Sequence, residues 1–414
     1  MRILYIASAY PLPANNGYKM RMWSILSAIA DAGHEVVFET FADPAEMSGT
    51  EEDLRRVCND YGTVRIQVTS LSQSRSYFWR LCTIFSALPF ASARFRSTEM
   101  QARLRMRLQE EAFDAIVCDN IYSAVNLEDT AIPVLMNCHN VEYLILQRFA
   151  KQDGYSAKAL YARMEAIKLR HFEAAMCRRA KLAMACSNTD ADLIRELCPG
   201  LQVVVVPNVV DVTEYQVTAD EEEHTIVYQG GMDWYPNRDA LEYFVRQVLP
   251  LVQKQVPEVR LIAAGRNPAP EFKALFSDVT ALEFTGTLPD LRPVIAKAAV
   301  AVVPLRIGSG TRLKILEAGA MRKAMVSTSI GVEGLNFEAG KEILIADDPV
   351  TFARHVVELL HDSARRKTLG EAARNKVVHE YDRMALERSV ASALASLEQS
   401  IGTEAGKSQL ASVG

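Results

Sequence analysis

The chain has 414 residues, 49% of them hydrophobic and 23% charged, a composition that excludes disorder over most of its length and gives a prior of about two to three domains. With 46 basic against 51 acidic residues the formal net charge is -5, which argues against wholesale nucleic-acid binding and leaves room for a local basic patch. Seven cysteines without a Cys-x-x-Cys pair read as buried thiols of a reducing compartment.

Short apolar runs alternate with helical patterns along the chain, the signature of stacked beta-alpha units around parallel sheets. Ile3 to Ala7 reads as a first buried strand, its apolar run being too short for a signal-peptide core. Met20 to Ala32 reads as an amphipathic helix stopped by Gly33, and Val36 to Phe38, Val64 to Val68, Ala115 to Cys118 and Val134 to Met136 as further strands. Tyr155 to Lys181 is a long helical pattern, followed by a strand at Leu182 to Cys186, a helix from about Thr189 and a strand at Val203 to Val206. The stretch Phe78 to Phe95 is interrupted by Arg80, Pro89 and Arg94, so no apolar run approaches the roughly 20 residues of a spanning helix.

The pattern then restarts. The acidic run Ala219 to Glu223 is read as a domain junction. After it come strands at Ile226 to Tyr228, Arg260 to Ala264, near Phe284, Val300 to Val303, Met325 to Ser327 and Ile343 to Ile345, with helices from about Asn237 and over Arg312 to Met321. Beyond Pro349 the pattern is helical to about Gln399, and the small polar residues from Gly402 read as a frayed tail. Two Rossmann-like halves are the economical reading.

Doubly wound sheets bind ligands beyond the carboxyl ends of their strands. The loop Tyr10 to Tyr18 carries Gly17 but no Gly-x-Gly-x-x-Gly, and the chain has no Gly-x-x-x-x-Gly-Lys-Ser/Thr, which argues against dinucleotide enzymes and P-loop phosphotransferases. The segment Pro304 to Glu317 is more informative. Gly308 and Gly310 allow close backbone approach, the following helix offers free N–H groups, and Arg306, Arg312 and Lys314 add positive charge. That is an anion site suited to a diphosphate. The alternative is a surface pair between Lys314 and Glu317, worth roughly 0.2 to 0.5 kcal/mol.

Gly308-Ser309-Gly310-Thr311-Arg312-Leu313-Lys314-Ile315-Leu316-Glu317-Ala318 resembles the nucleotide-sugar segment of the group 1 (family 4) retaining glycosyltransferases. Pro11 to Arg21 resembles that family's first glycine-bearing loop, Asn137 to Glu142 its central histidine segment, and Pro207 to Asp211 the entry to its second domain. Gly230-Gly231-Met232 and Gly286 to Asp290 resemble two further loops of that domain.

The resemblance implies an α/β GT-B fold: two Rossmann-like doubly wound domains facing a central cleft, with a helical C-terminus. The implied division is an acceptor domain over 1–207, a nucleotide-sugar domain over 208–380, a helix over 381–400 packing back toward the first domain, and a frayed tail over 401–414. Glu317 would bind ribose hydroxyls, since a carboxylate accepts two hydrogen bonds from adjacent hydroxyls. Arg306, Arg312 and Lys314 would neutralise the diphosphate in place of a metal. Gly17, Gly230, Gly231, Asn237, Ser309, Gly310 and Thr311 complete the implied substrate-binding set, and the expectation is no cofactor and no metal.

Four departures from the family pattern stand out, one being Gly17-Tyr18 in the first loop where a glycine pair is common. Ser309 occupies the place of a first glutamate, Gly231 and Asn237 stand near the places of a usual arginine and lysine, and Val209 replaces a glycine. His139 follows a strand at its carboxyl end; it is either a satisfied structural histidine or, as the resemblance implies, the catalytic contact to the donor sugar or a phosphate. Glu142 reads as a helix N-terminal carboxylate. Retention would then need no protein nucleophile: the acceptor attacks from the face the diphosphate leaves, and a phosphate oxygen takes its proton.

Arg75, Arg80, Arg94, Arg96, Arg103, Arg105 and Arg107 interleave with aromatic residues and suit either an anionic lipid surface or a packed helical hairpin, and Lys158 to Lys181 is a second basic, helical stretch that suits the same surface. The leading expectation is a cytoplasmic enzyme, peripheral at the inner face of the cell membrane. It would transfer a sugar from a nucleotide-diphosphate donor to a polysaccharide or lipid-linked acceptor, without nucleic acid as a partner. A nucleotide-sugar 2-epimerase-like isomerase and a catalytically silent nucleotide-sugar-binding partner are the alternatives.

Overall fold

The computed structural model describes residues 1–65, 86–216, 221–266 and 268–411. They fall into two compact units, Met1–Pro207 with Leu386–Gly414, and Asn208–Ala385.

In the first unit, β1 (Arg2–Ala7), β2 (Glu35–Ala42), β3 (Asp60–Arg65), β4 (Ala115–Cys118), β5 (Val134–Cys138), β6 (Leu182–Ala185) and β7 (Gln202–Val205) form one sheet in the order β3-β2-β1-β4-β5-β6-β7. Every ladder is parallel. The central strands are buried along almost their whole length, as expected when helices cover both faces. The helix Gly17–Asp31 buries Met22, Ile25, Leu26 and Ile29 at three- and four-residue spacing, and Asn16 caps it by accepting from the Lys19 amide at 3.0 Å. The order of strands reverses between β1 and β4, and a doubly wound sheet opens its ligand crevice beyond the carboxyl ends at such a point.

The second unit repeats the plan. Its strands β8 (Glu222–Gln229), β9 (Arg260–Ala264), β10 (Leu282–Gly286), β11 (Ala298–Val303), β12 (Ala324–Ser327) and β13 (Leu344–Ile345) lie in the order β10-β9-β8-β11-β12-β13, all parallel. The reversal falls between β8 and β11. The chain then runs through the helices Pro349–His361, Ser363–Glu380 and Arg383–Ala411.

Three expectations are corrected. The third strand is Asp60–Arg65, not Val64 to Val68, whose last three residues lie outside the described ones. It pairs along β2 from Val37 opposite Asp60 to Ala42 opposite Arg65 as an edge strand, so its inward positions alternate and give no continuous apolar run. The described part of the acidic run is not a linker. Glu221 is held by Lys323 at 3.1 Å and Arg366 at 3.2 Å, and Glu222 opens β8. The last helix continues to Ala411, where a frayed tail is expected from residue 401, because Glu404, Ala405, Lys407, Gln409 and Leu410 are good helix formers.

The described cysteines, Cys58, Cys118, Cys138, Cys177, Cys186 and Cys198, are buried free thiols.

Candidate functional site

In the second unit the loops beyond β8 and β11 carry the residues singled out from the sequence. After β8 the chain passes through Gly230 and Gly231 into the helix Tyr235–Tyr243, which contains Asn237. After β11 it passes through Leu305 to Arg312 into the helix Leu313–Ala320, which contains Lys314 and Glu317. The Lys314 ammonium donates to Asn237 Oδ1 at 2.9 Å and lies 4.9 Å from the centre of the Tyr228 ring. Asn237 Nδ2 in turn donates to the Gly231 carbonyl at 2.9 Å. A Cβ at Gly230 would lie 3.0 Å from the Lys314 ammonium, so glycine is the residue that lets this cation approach the backbone.

Burial first, and the charge of Arg312 second, lower the Lys314 pKa to about 7, against a smaller opposing pull from Glu317. Glu317 Oε1 accepts from the Tyr215 hydroxyl at 3.1 Å and Oε2 from Gln229 Nε2 at 2.5 Å. Burial raises its pKa, and the Tyr215 bond and Lys314 oppose the rise. The pair is therefore built into the crevice, not spread over a solvated helix face.

The other two expected cations are occupied. Arg306 grips Asp239 through Nε at 3.1 Å and Nη2 at 2.7 Å, with Tyr243 stacked 4.7 Å away. Arg312 is buried and donates to the carbonyls of Ser309 and Gly310 of its own loop. The three expected cations thus have different surroundings: Arg312 bonds carbonyls of its own loop and lies near enough to Lys314 to lower its pKa, Arg306 pairs with Asp239 of the neighbouring helix, and Lys314 bonds the Asn237 amide. Gly310 has φ 73°, a conformation that fits glycine. Ser309 is buried, and the Thr311 hydroxyl accepts from Asn208 at 2.7 Å.

Sequence reasoning missed Arg266, just past β9. Its Nη2 lies 3.1 Å from where a Gly231 Cβ would be, and its guanidinium pairs with Asp233 at 3.1 Å. Gln229 and Tyr215, which hold Glu317, were missed as well. They carry no motif, and only the register of β8 places Gln229 at the strand's end.

In the first unit Gly17 opens the first helix, and His139 follows β5. The His139 ring is buried, 4.7 Å from the Tyr18 ring, with Nε2 3.1 Å from Asn137 Nδ2 and 3.2 Å from Asp119 Oδ1. Arg21 donates to Asn137 Oδ1 at 3.0 Å, and Asn120 and Ser8 both bond the Tyr18 hydroxyl. These groups all lie at the carboxyl ends of β1, β4 and β5 or on the first helix. Glu142 is the first residue of the helix Glu142–Gln152 and accepts from Tyr122 and Asn140.

Of the arginine-rich segment, Arg75 and Arg80 lie outside the described residues. Arg103 and Arg107 converge on buried Glu39, and Arg105 pairs with Glu128, so these three are not free for a lipid surface. Arg94 and Arg96 of the segment are exposed, and a second basic face is exposed as well. On the helix Ala157–Arg178, Lys158, Arg163, Arg170 and Arg178 lie outward with Leu160 and Ile167, 67% and 61% exposed, while Glu165 and Glu173 are buried.

Comparison with known proteins accords with this geometry. A model described as glycosyl transferases group 1 matches residues 223–362, and one described as glycosyltransferase family 4 matches residues 16–214. A Klebsiella pneumoniae protein described as an uncharacterized 44.6 kDa protein in the cps region is 22% identical over 92% of this chain and 96% of its own. Among solved structures, sucrose-phosphate synthase from Thermosynechococcus elongatus superposes with a TM-score of 0.72 at 17% identity, covering 97% of this chain and all of that one. Anabaena HepE in complex with UDP and glucose gives 0.65 at 14% identity over 96% of this chain and all of its own. Staphylococcus aureus TarM, in complex with UDP, gives 0.66 at 10% identity over 96% and 99%.

Proposed function

The chain belongs to the group 1 glycosyltransferases and has the α/β GT-B fold, and from that premise we propose that it transfers a sugar from a nucleotide-diphosphate donor to a polysaccharide or lipid-linked acceptor, with retention and without a metal. The observation that carries this reading is the Lys314 ammonium held on Asn237 beside Gly230, next to a Glu317 carboxylate held by Tyr215 and Gln229. A lysine and a carboxylate three residues apart at a helix start suit the diphosphate and ribose ends of one nucleotide. The ammonium supplies the charge that stabilises the departing diphosphate. A phosphate oxygen takes the acceptor's proton on the face where the new bond forms.

His139 contacts the donor sugar in this reading. The polysaccharide acceptor is supported by the cps-region relative, and UDP-sugars are the first donors to test because the HepE and TarM structures hold UDP. The exposed apolar and basic face of the helix Ala157–Arg178 would rest on an anionic membrane at the cytoplasmic side. The test is incubation with a panel of nucleotide sugars, with and without EDTA, following free nucleoside diphosphate and sugar configuration. EDTA-resistant release with the product in the donor's anomeric configuration is expected; EDTA-sensitive release or inversion would overturn the reading.

A further inference from the structure

Asp119 stands immediately after β4, at the reversal of the first sheet, and is completely buried. Its Oδ1 accepts from the Tyr5 hydroxyl at 2.5 Å and from Asn137 Nδ2 at 2.9 Å, and lies 3.2 Å from His139 Nε2. Its Oδ2 is buried with no hydrogen-bond partner among the described residues. A buried carboxylate oxygen left without a donor is costly, which marks this as a position where something other than stability is being met.

The orientation of Asn137 is fixed from its other side. Arg21 donates to Asn137 Oδ1 through both Nε, at 3.3 Å, and Nη2, at 3.0 Å, so Nδ2 faces Asp119 and His139 as a donor. His139 Nε2 therefore sees a carboxylate acceptor and an amide donor at nearly equal distance. A charge-assisted bond to the carboxylate is the stronger of the two. It places the imidazole hydrogen on Nε2 and leaves Nδ1, which no described residue bonds, as a lone pair.

We propose that Asp119 is a positioning residue: by accepting the Nε2 hydrogen it fixes the His139 tautomer and ring, so that Nδ1 is presented as an acceptor to a hydroxyl of the donor sugar. The inference rests on the sugar-contacting role given to His139 above. Tyr5 and the Arg21–Asn137 pair hold the carboxylate and complete the chain of bonds across β1, β4, β5 and the first helix.

The test uses the full chain in two measurements that do not depend on each other. Imidazole nitrogen NMR, with His139→Gln to identify the signal, reads the tautomer without substrate. The wild type should show Nε2–H, and Asp119→Asn should gain Nδ1–H population. In donor turnover, Asp119→Asn should lower kcat by about 100-fold, the lower end for a positioned proton-handling side chain, with KM for the nucleotide sugar within about twofold. Tyr5→Phe, which removes one donor to the carboxylate but keeps the acceptor for Nε2, should lower kcat less than Asp119→Asn and leave the Nε2–H tautomer in place. An Nδ1–H tautomer in the wild type, or equal losses in Asp119→Asn and Tyr5→Phe, would overturn the proposal. Should no nucleotide sugar be turned over by the wild type, the transfer reading fails while the tautomer still decides whether Asp119 holds His139.

Discussion

On the proposed reading, Lys314 should make nucleotide affinity depend on pH in a calculable way. Among the described residues its ammonium is paired with no carboxylate, only with Asn237 and the Tyr228 ring, and burial has brought its pKa to about 7. The sign follows directly: the folded pKa lies below that of a free lysine, so the cation that a diphosphate needs is present below pH 7 and is lost above it. Affinity then scales with the protonated fraction, about one half at pH 7, about one in eleven at pH 8 and about one in a hundred at pH 9. The phosphate itself completes its ionisation near pH 6, so the window from pH 7 to 9 isolates the lysine. Nucleoside-diphosphate affinity should fall about fivefold from pH 7 to 8 and about three- to sevenfold more to pH 9, where it approaches the affinity left without the charge, with proton uptake on binding visible calorimetrically in buffers of different ionisation enthalpy. Lys314→Arg should flatten the profile, and Lys314→Met should lose about 1.5 to 3 kcal/mol at pH 7, the range of a charge-assisted hydrogen bond. A wild-type affinity constant over this window, or a folded Lys314→Met protein that binds as well as the wild type, would refute the assignment.

Glu317→Gln should weaken UDP binding about tenfold, one charge-assisted bond, while inorganic pyrophosphate binds as before; parallel losses for both ligands would place the carboxylate near phosphate. Arg306→Ala should lower Tm through loss of the Asp239 pair and leave nucleoside-diphosphate affinity unchanged, whereas a loss of affinity would return Arg306 to the phosphate. Sedimentation with anionic vesicles should be salt-sensitive and should fall for Leu160→Glu with Ile167→Glu more than for Arg103→Glu, whose arginine is engaged by Glu39; equal recovery in the supernatant with neutral and anionic vesicles would refute the membrane face.

The legible parts of the fold were those written in continuous patterns. Central parallel strands are buried on both faces, so runs such as Ala115–Cys118 and Ala298–Val303 are readable as apolar blocks. The edge strand Asp60–Arg65 buries only alternate residues and was misplaced. At the site, glycines and charges next to strand ends pointed to Lys314 and Glu317, because the topology puts such loops at the crevice. What the sequence did not disclose was which charges are already neutralised. Arg306 and Asp239 are 67 positions apart, and Asp119 and His139 come from different strands. Contacts of that kind have no period and no spacing; they exist only once the sheet order brings β4 beside β5 and the loop after β11 against the helix after β8.

The same reasoning explains how the site tolerates Gly231 and Asn237 where its family commonly has an arginine and a lysine. Lys314 reaches from the helix after β11 to within 2.9 Å of Asn237 Oδ1 and 3.0 Å of a Cβ at Gly230, and Arg266 reaches from the end of β9 to within 3.1 Å of a Cβ at Gly231. Two cationic heads thus lie beside the Gly230–Gly231 loop from neighbouring elements, Arg266 paired with Asp233 and Lys314 with no carboxylate among the described residues. If position in space is what the diphosphate reads, exchanging the partners should restore binding. Lys314→Asn alone should weaken nucleoside-diphosphate affinity at pH 7 by about 10-fold or more, the loss of one charge-assisted bond. The double variant Lys314→Asn with Asn237→Lys should recover most of it, since Gly230 leaves room for the ammonium from either side. Such recovery is a coupling between two contacting residues, measurable by a double-mutant cycle. A double variant no tighter than Lys314→Asn, with both proteins folded, would show that the helix after β11 is needed for the lysine and that the charge cannot be traded between these elements.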